Sequence, residues 1–150
     1  MKILCVCYGN ICRSPMAEGV LKHRSAKLNL EFEVDSAGTS HWHIGEHPDK
    51  RAIQTSEKNG IDISKLRARQ LKTEDFDEFD IIFAMDKSNY NDILSLAKNE
   101  SHRNKVELFL NMAYPMSNAD VHDPYYDGSF QEVFKVIDKA AEIIIQKIKN

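Results

Sequence analysis

Residues 1–15 read MKILCVCYGNICRSP, and this stretch decides the fold. Residues 1–6 form an apolar run that predicts a buried strand. Ser14 and Pro15 predict a helix start, with the hydroxyl at the N-cap and proline at the first helical position. The loop from Cys7 to Arg13 therefore turns with its N–H groups facing inward, at the positive end of a helix dipole. We expect an anion site there, with Cys7 at its floor and Arg13 on its rim.

The residue types in this loop suit phosphoryl transfer. Thiolate is the reactive form of cysteine, and helix N-termini and nearby cations stabilise it. Arg13 can hold two phosphoryl oxygens at once, Ser14 can hydrogen-bond the sulfur of Cys7, and Gly9 supplies either a positive φ or a close backbone approach. Cys-x5-Arg-Ser between a strand and a helix favours this interpretation over a buried free cysteine in an ordinary loop.

Four motifs along the chain resemble those of the low molecular weight protein tyrosine phosphatases, in that family's order: residues 7–18 (CYGNICRSPMAE), 35–39 (DSAGT), 83–86 (FAMD) and 123–126 (DPYY). The resemblance implies hydrolysis of phosphotyrosine in proteins or peptides through a cysteinyl-phosphate intermediate. Inorganic phosphate and vanadate are expected to bind at the same site. The resemblance also implies one phosphatase domain over residues 1–150, a monomer or weak dimer that uses no metal or organic cofactor.

Predicted strands and helices alternate along the rest of the chain. We expect helices over residues 15–29, from Pro48 to about 60, after Asp86, and at the C-terminus behind a capping box of Ser129 and Glu132. Strands are predicted at residues 2–6, 32–35, 80–85 and 106–109. The pattern predicts a single-domain α/β fold, in which an open, twisted four-stranded parallel sheet carries helices on both faces and the phosphate-binding loop follows strand 1.

Length, charge and cysteine usage narrow the class of protein. The 150 residues suffice for one core, and a net charge of −3 gives no broad basic surface for nucleic acid. No apolar stretch is long enough for a membrane span. Three cysteines within residues 5–12 make neither a disulfide framework nor a zinc site, and the histidines of loop 41–47 are expected to be solvated. We therefore expect a cytoplasmic protein that binds neither nucleic acid nor membrane.

The motif DPYY, residues 123–126, is expected to complete the site. A phenolate leaving group needs a proton at neutral pH, and Asp123 can donate it and later accept one from the attacking water. The resemblance implies that Tyr125 and Trp42 line a slot deep enough for phosphotyrosine. Tyr126 lies beside the acid, and Tyr8 stands where the family often has leucine, so its ring can narrow the mouth or stack on the substrate. The alternative for residues 123–126 is an Asp-Pro turn with surface tyrosines. The alternative for Trp42 is a tryptophan packed on a loop.

The remaining loop residues take their roles from the same resemblance. Asn10 braces the loop with Ser36 as its partner. Ile11 indicates phosphotyrosine, because relatives that dephosphorylate arginine carry threonine there. Cys12 lies within disulfide reach of Cys7 and can capture its peroxide-oxidised form, or it is simply a small residue in a tight turn. Cys5 is expected in the core. The predicted substrate- and phosphate-binding set is Tyr8, Gly9, Asn10, Ile11, Cys12, Ser14, Trp42, Tyr125 and Tyr126.

Three other functions are weighed against hydrolysis. A phosphocarrier also uses a cysteine, but it gains nothing from the hydrolytic equipment of Arg13, Ser14 and Asp123. A thiol-based arsenate reductase has a similar loop, but its relay cysteines are missing after Cys12. A phosphotyrosine-binding module would be expected to lack the nucleophile or the acid, and this sequence has both.

Overall fold

The centre of the molecule is a parallel sheet of four strands in the order β2-β1-β3-β4. The structure is a computed structural model that describes residues 1–149. The strands are β1 (Lys2–Cys7), β2 (Glu33–Gly38), β3 (Ile81–Ala84) and β4 (Val106–Leu108). β1 pairs with β2 on one side and β3 on the other, so that Cys7 lies opposite Gly38 and Val6 opposite Ala84. The predicted four-stranded parallel sheet is confirmed.

Helices cover both faces of this sheet. They are α1 (Arg13–Lys27), α2 (Lys50–Lys58), α3 (Asp75–Glu78), α4 (Lys87–Leu96), α5 (Glu100–Arg103), α6 (Phe109–Ala113) and α7 (Phe130–Ile148). Ile3, Cys5 and Cys7 of β1 pack into the core under α1, α2, α6 and α7. The alternate residues Leu4 and Val6 pack on the other face with α4 and Phe76. Burial on both faces explains why β1 is a continuous apolar run.

Two of the predicted helix caps are wrong. α1 begins at Arg13, and Ser14 lies inside its first turn, where its hydroxyl contacts other side chains instead of capping the helix. Ser129 occupies the N-cap of α7, but its side chain makes no capping bond to that helix, because its hydroxyl donates to Asp127 at 2.7 Å. Asp86 does cap α4, accepting a hydrogen bond from the N–H of Asn89 at 2.7 Å.

The carboxyl edge of the sheet gathers the segments that form the site. β1 leads into the loop of residues 8–12, β2 into the loop of residues 39–49, and β3 into Met85 and Asp86. The segment before α7 joins this edge because the N–H of Val121 donates to the carbonyl of Met85 at 2.7 Å. Parallel sheets bind ligands at this edge. Within residues 1–149, no helix is long and apolar enough to cross a membrane.

Candidate active site

A cavity of about 160 Å³ opens above the end of β1. It brings together residues that are more than a hundred positions apart in the chain. Its lining consists of Cys7, Tyr8, Gly9, Ile11, Cys12, Arg13, His43, Asp123, Tyr125 and Tyr126. All of these except His43 belong to the predicted site. Three predicted residues, Asn10, Ser14 and Trp42, do not line the cavity.

The thiol of Cys7 lies at the buried end of β1 with a single hydroxyl beside it. Its sulfur is 3.0 Å from Ser14 Oγ. Asn10 Nδ2 donates to the same hydroxyl oxygen at 2.8 Å, whereas the carbonyl of Ala37, the other acceptor in reach, is 3.5 Å away. Because Asn10 occupies a lone pair of Ser14 Oγ, the hydroxyl hydrogen is free to point at the sulfur.

Asn10 braces the loop from behind. It has a φ of 57°, a left-handed conformation that asparagine tolerates better than most residues. Its Nδ2 donates to Ser36 Oγ at 3.0 Å, and its Oδ1 accepts from the N–H of Arg69 at 3.0 Å. Ser36 in turn donates to the buried carboxylate of Glu18 at 2.6 Å. The side chains of Asn10 and Ser14 therefore hold the loop and the thiol and do not line the cavity, and contact of these residues with phosphate stays a prediction.

Arg13 is buried, not on the rim as predicted, with only 3% of its surface exposed. Its Nη1 donates to Asp86 Oδ2 at 2.6 Å and to the carbonyl of Val121 at 2.9 Å. Burial by itself would lower the pKa of Arg13, but the neighbouring Cys7 and Asp86 outweigh burial and raise it. Nη1 is thus occupied, while Nε and Nη2 have no hydrogen-bond partner among residues 1–149. These two nitrogens remain available for an anion in the cavity.

Asp123 lines the same cavity and is partly open to solvent, with 43% of its side chain exposed. Its Oδ2 is 3.8 Å from Arg13 Nη2. Its Oδ1 accepts a hydrogen bond from the N–H of Tyr125 at 3.1 Å, which fixes the carboxylate against its own loop. The carboxyl group therefore combines access to water with a defined orientation near the thiol and the guanidinium.

Aromatic side chains form the upper part of the cavity. Tyr125 and Tyr126 meet edge to face with their ring centroids 5.0 Å apart. The guanidinium of Arg51 lies over the Tyr125 ring at 5.4 Å and over the Phe130 ring at 4.6 Å, and it is paired with Asp49 at 3.0 Å. These contacts hold the segment that follows Asp123 against the start of α2.

Trp42 is not part of the lining, contrary to the prediction. Two-thirds of its surface is exposed, and its Nε1 donates to the hydroxyl of Tyr8 at 3.1 Å. His43, expected to be solvated, lines the cavity instead. Apolar residues do not recur at a regular spacing in this loop. No local pattern in the sequence therefore distinguishes His43, which faces the cavity, from its neighbour Trp42.

The other two cysteines are buried free thiols. Cys12 lines the cavity beside Cys7; burial raises its pKa, and the nearby Cys7 adds to the effect. Cys5 has no exposed surface, as predicted, and burial raises its pKa well above the ordinary value. Over residues 1–149, no cluster of three or more histidine, cysteine, aspartate or glutamate side chains is arranged to hold a metal ion.

Comparison with known proteins gives a consistent result. The sequence model of the low molecular weight phosphotyrosine protein phosphatases matches residues 2–150. A protein of that name from Schizosaccharomyces pombe is 48% identical over 132 residues, covering 86% of this chain and 83% of the relative. A low molecular weight protein-tyrosine-phosphatase of Bacillus subtilis is 40% identical over 154 residues, covering 100% of this chain and 97% of the relative.

Solved structures agree with this result. A protein tyrosine phosphatase from Entamoeba histolytica superposes with a TM-score of 0.92 at 35% identity, over 99% of this chain and 97% of that one. A Drosophila arginine phosphatase superposes with a TM-score of 0.91 at 35% identity, over 100% of this chain and 99% of that one.

Proposed function

Because the chain belongs to the low molecular weight phosphotyrosine protein phosphatase family and is therefore a phosphoric monoester hydrolase, we propose that Cys7, Arg13 and Asp123 carry out its reaction. The observation that supports these roles is that the three side chains line one cavity, although Asp123 is more than a hundred residues from the other two. A nucleophile, an anion-binding cation and a proton donor are the groups that this hydrolysis needs.

In the first step, the thiolate of Cys7 attacks phosphorus and the bond to the tyrosyl oxygen breaks. The proton of Asp123 passes to that oxygen, so tyrosine leaves as a neutral phenol and Asp123 becomes a carboxylate. Arg13 holds phosphoryl oxygens through Nε and Nη2, the nitrogens left free by Asp86, and the inward N–H groups of the loop hold the others.

In the second step, water attacks the cysteinyl phosphate and gives its proton to Asp123. The phosphorus–sulfur bond breaks, and Cys7 leaves as a thiolate. Ser14 Oγ, 3.0 Å from the sulfur, donates a hydrogen bond to the leaving thiolate. This second step distinguishes a hydrolase from a phosphocarrier, whose cysteinyl phosphate must survive until an acceptor arrives.

We propose phosphotyrosine as the substrate, in preference to phosphoarginine. The distinction matters because one structural relative is an arginine phosphatase. In this chain Ile11 contributes an aliphatic side chain to the cavity, and the rings of Tyr8 and Tyr125 stand above Cys7. An apolar wall favours a flat aryl group over a charged guanidinium. Ile11→Thr is expected to reduce this preference.

The test uses a phosphotyrosine peptide and para-nitrophenyl phosphate with the wild type, Cys7→Ser and Asp123→Asn. Cys7→Ser should abolish turnover of both substrates. Asp123→Asn should lower kcat/KM for the peptide by roughly 10²- to 10⁴-fold, as expected for loss of the general acid of the first step. The loss should be smaller for para-nitrophenyl phosphate, because its leaving group is the stronger acid. Equal losses on the two substrates would contradict the role of Asp123, and a stable phosphoenzyme in the wild type would favour a carrier.

We further propose that residues 1–150 form a single catalytic domain that works as a monomer or weak dimer without metal or organic cofactor. Inorganic phosphate and vanadate are proposed to occupy the same loop as competitive inhibitors. The cytoplasm is the proposed compartment, since its reducing conditions keep Cys7 and Cys12 as free thiols.

A further inference from the structure

The loop after β2, residues 39–49, lies over the phosphate-binding loop but is anchored mainly at its ends. At the first end, the N–H and the hydroxyl of Ser40 both donate to the carbonyl of Tyr8 at 2.9 Å. At the other end, the N–H of Asp49 donates to the carbonyl of Ile11 at 2.8 Å. Gly45 and Glu46 are joined by backbone bonds to Ala68.

Residues 41–44, the tip of this loop, are held differently. In the part of the chain that the structure describes, the bond from Trp42 Nε1 to the hydroxyl of Tyr8 is the one hydrogen bond between the tip and another segment. His43 bonds only within the loop, to Glu46 at 3.0 Å. The position of the tip over the cavity therefore depends on the side chain of Tyr8.

The tip bears directly on the site. A Cβ atom on Gly9 would lie 3.1 Å from Cδ2 of His43, so the imidazole packs against the backbone of the phosphate-binding loop. His43 and the ring of Tyr8 both line the cavity, whereas Trp42 stands outside it and stacks on His41 with ring centroids 4.8 Å apart. Trp42 thus acts on the cavity through Tyr8.

We propose that Tyr8 is a specificity-determining residue whose hydroxyl, by accepting the Trp42 N–H, fixes residues 41–44 so that the Tyr8 ring and His43 form a wall selecting aryl over alkyl phosphomonoesters. This proposal rests on the proposed phosphatase function and adds the bond that holds the wall of the slot in place. An aryl phosphate reaches past this wall and gains contact with it, whereas inorganic phosphate occupies only the loop below.

The test compares Tyr8→Phe, Trp42→Phe and the double variant. Tyr8→Phe keeps the ring and removes only the hydroxyl, and Trp42→Phe removes the N–H donor. Loss of one exposed hydrogen bond should raise KM for a phosphotyrosine peptide by about two- to tenfold. The kcat should change much less, because the tyrosine has left before the phosphoenzyme is hydrolysed. The double variant should be no worse than either single variant, since both changes remove the same bond.

Two further measurements distinguish the loss of a selective wall from a general distortion of the active site. Inhibition by inorganic phosphate should be unchanged in Tyr8→Phe, and the ratio of kcat/KM for phosphotyrosine over phosphoserine peptides should fall. Trp42 is the chain's single tryptophan, so in Tyr8→Phe its fluorescence anisotropy should decrease and its quenching by acrylamide should increase. Tyr114→Phe, a change at another exposed tyrosine, is the matched control and should leave all of these values unchanged.

Several results would overturn the proposal. An unchanged KM and anisotropy in Tyr8→Phe would show that the bond does not position the tip. Fully additive effects in the double variant would show that the two side chains act separately, and an equal weakening of phosphate inhibition would indicate a distorted loop. Failure of the underlying phosphatase function is distinguishable, because it would appear as absent turnover in the wild type before any variant is made.

Discussion

Replacing Asn10 by alanine should destabilise the protein by about 2.5–5.5 kcal/mol. The substitution removes two hydrogen bonds donated by Nδ2, to Ser14 and Ser36, and one accepted by Oδ1 from the N–H of Arg69. Buried bonds of this kind contribute about 0.5–1.5 kcal/mol each. Alanine at a φ of 57° adds about 1 kcal/mol, because its Cβ crowds the backbone in the left-handed region. The sum gives the stated range.

Thermal unfolding measures this loss directly. For a chain of 150 residues, each kcal/mol shifts Tm by about 2–4 °C, so Asn10→Ala should lower Tm by roughly 5–22 °C. Asn10→Gly is the matched variant, because it loses the same bonds without the strain at positive φ, and it should be less destabilised by about 1 kcal/mol. A Tm within about 2 °C of the wild type in Asn10→Ala would refute the estimate. A glycine variant less stable than the alanine variant would refute the argument from strain.

Three further substitutions test other parts of the site and its surroundings. Asp86→Asn leaves one carboxamide oxygen for two donors, the helix N–H and the buried guanidinium, so vanadate inhibition should weaken by about tenfold and Tm should fall as well. Asp127 has a pKa lowered to about 2, chiefly by the hydroxyl and N–H of Ser129, so Ser129→Ala should raise this pKa. A carboxyl group whose pKa is lowered by folding stabilises the fold at pH values above its ordinary pKa. This stabilisation is lost as the pH falls towards 2. The Tm deficit of Ser129→Ala at neutral pH should therefore disappear in acid. Arg51→Lys keeps the charge but loses the planar stack on Tyr125, so KM for a phosphotyrosine peptide should rise severalfold while phosphate inhibition stays unchanged.

The part of the site that could be predicted from the sequence is the part contained in one contiguous stretch. Cys7, Gly9 and Arg13 follow a buried strand directly, and the strand-loop-helix geometry brings them around one hollow with no information from the rest of the chain. The contribution of Asp123 is different. Nothing local to the DPYY motif indicates that it lies 3.8 Å from Arg13, and only the resemblance to a known family implied this proximity.

Three of the errors share one physical cause, which is that a side chain bonds to another partner instead of the one that its local pattern indicates. Ser14 reads as a helix cap, but Cys7 and Asn10 occupy its hydroxyl. Arg13 reads as a rim residue, but Asp86, seventy-three positions away, holds it inside. Trp42 reads as a slot residue, but its N–H is taken by the Tyr8 hydroxyl, and the neighbouring histidine faces the cavity. Local patterns cannot rank such long-range bonds.

The order of strands in the sheet explains how so tight a loop is held. β1 is a central strand, so residues at the ends of both neighbouring strands, or just after them, can reach the loop that leaves it. On the β2 side, Ser36 holds Asn10; on the β3 side, Asp86 holds Arg13. A loop leaving an edge strand would have a neighbour on one side only, and either the residue at positive φ or the buried guanidinium would lack its partner. The central position of β1 is therefore a structural requirement of the site, because buried polar groups of this kind are stable only when they are paired.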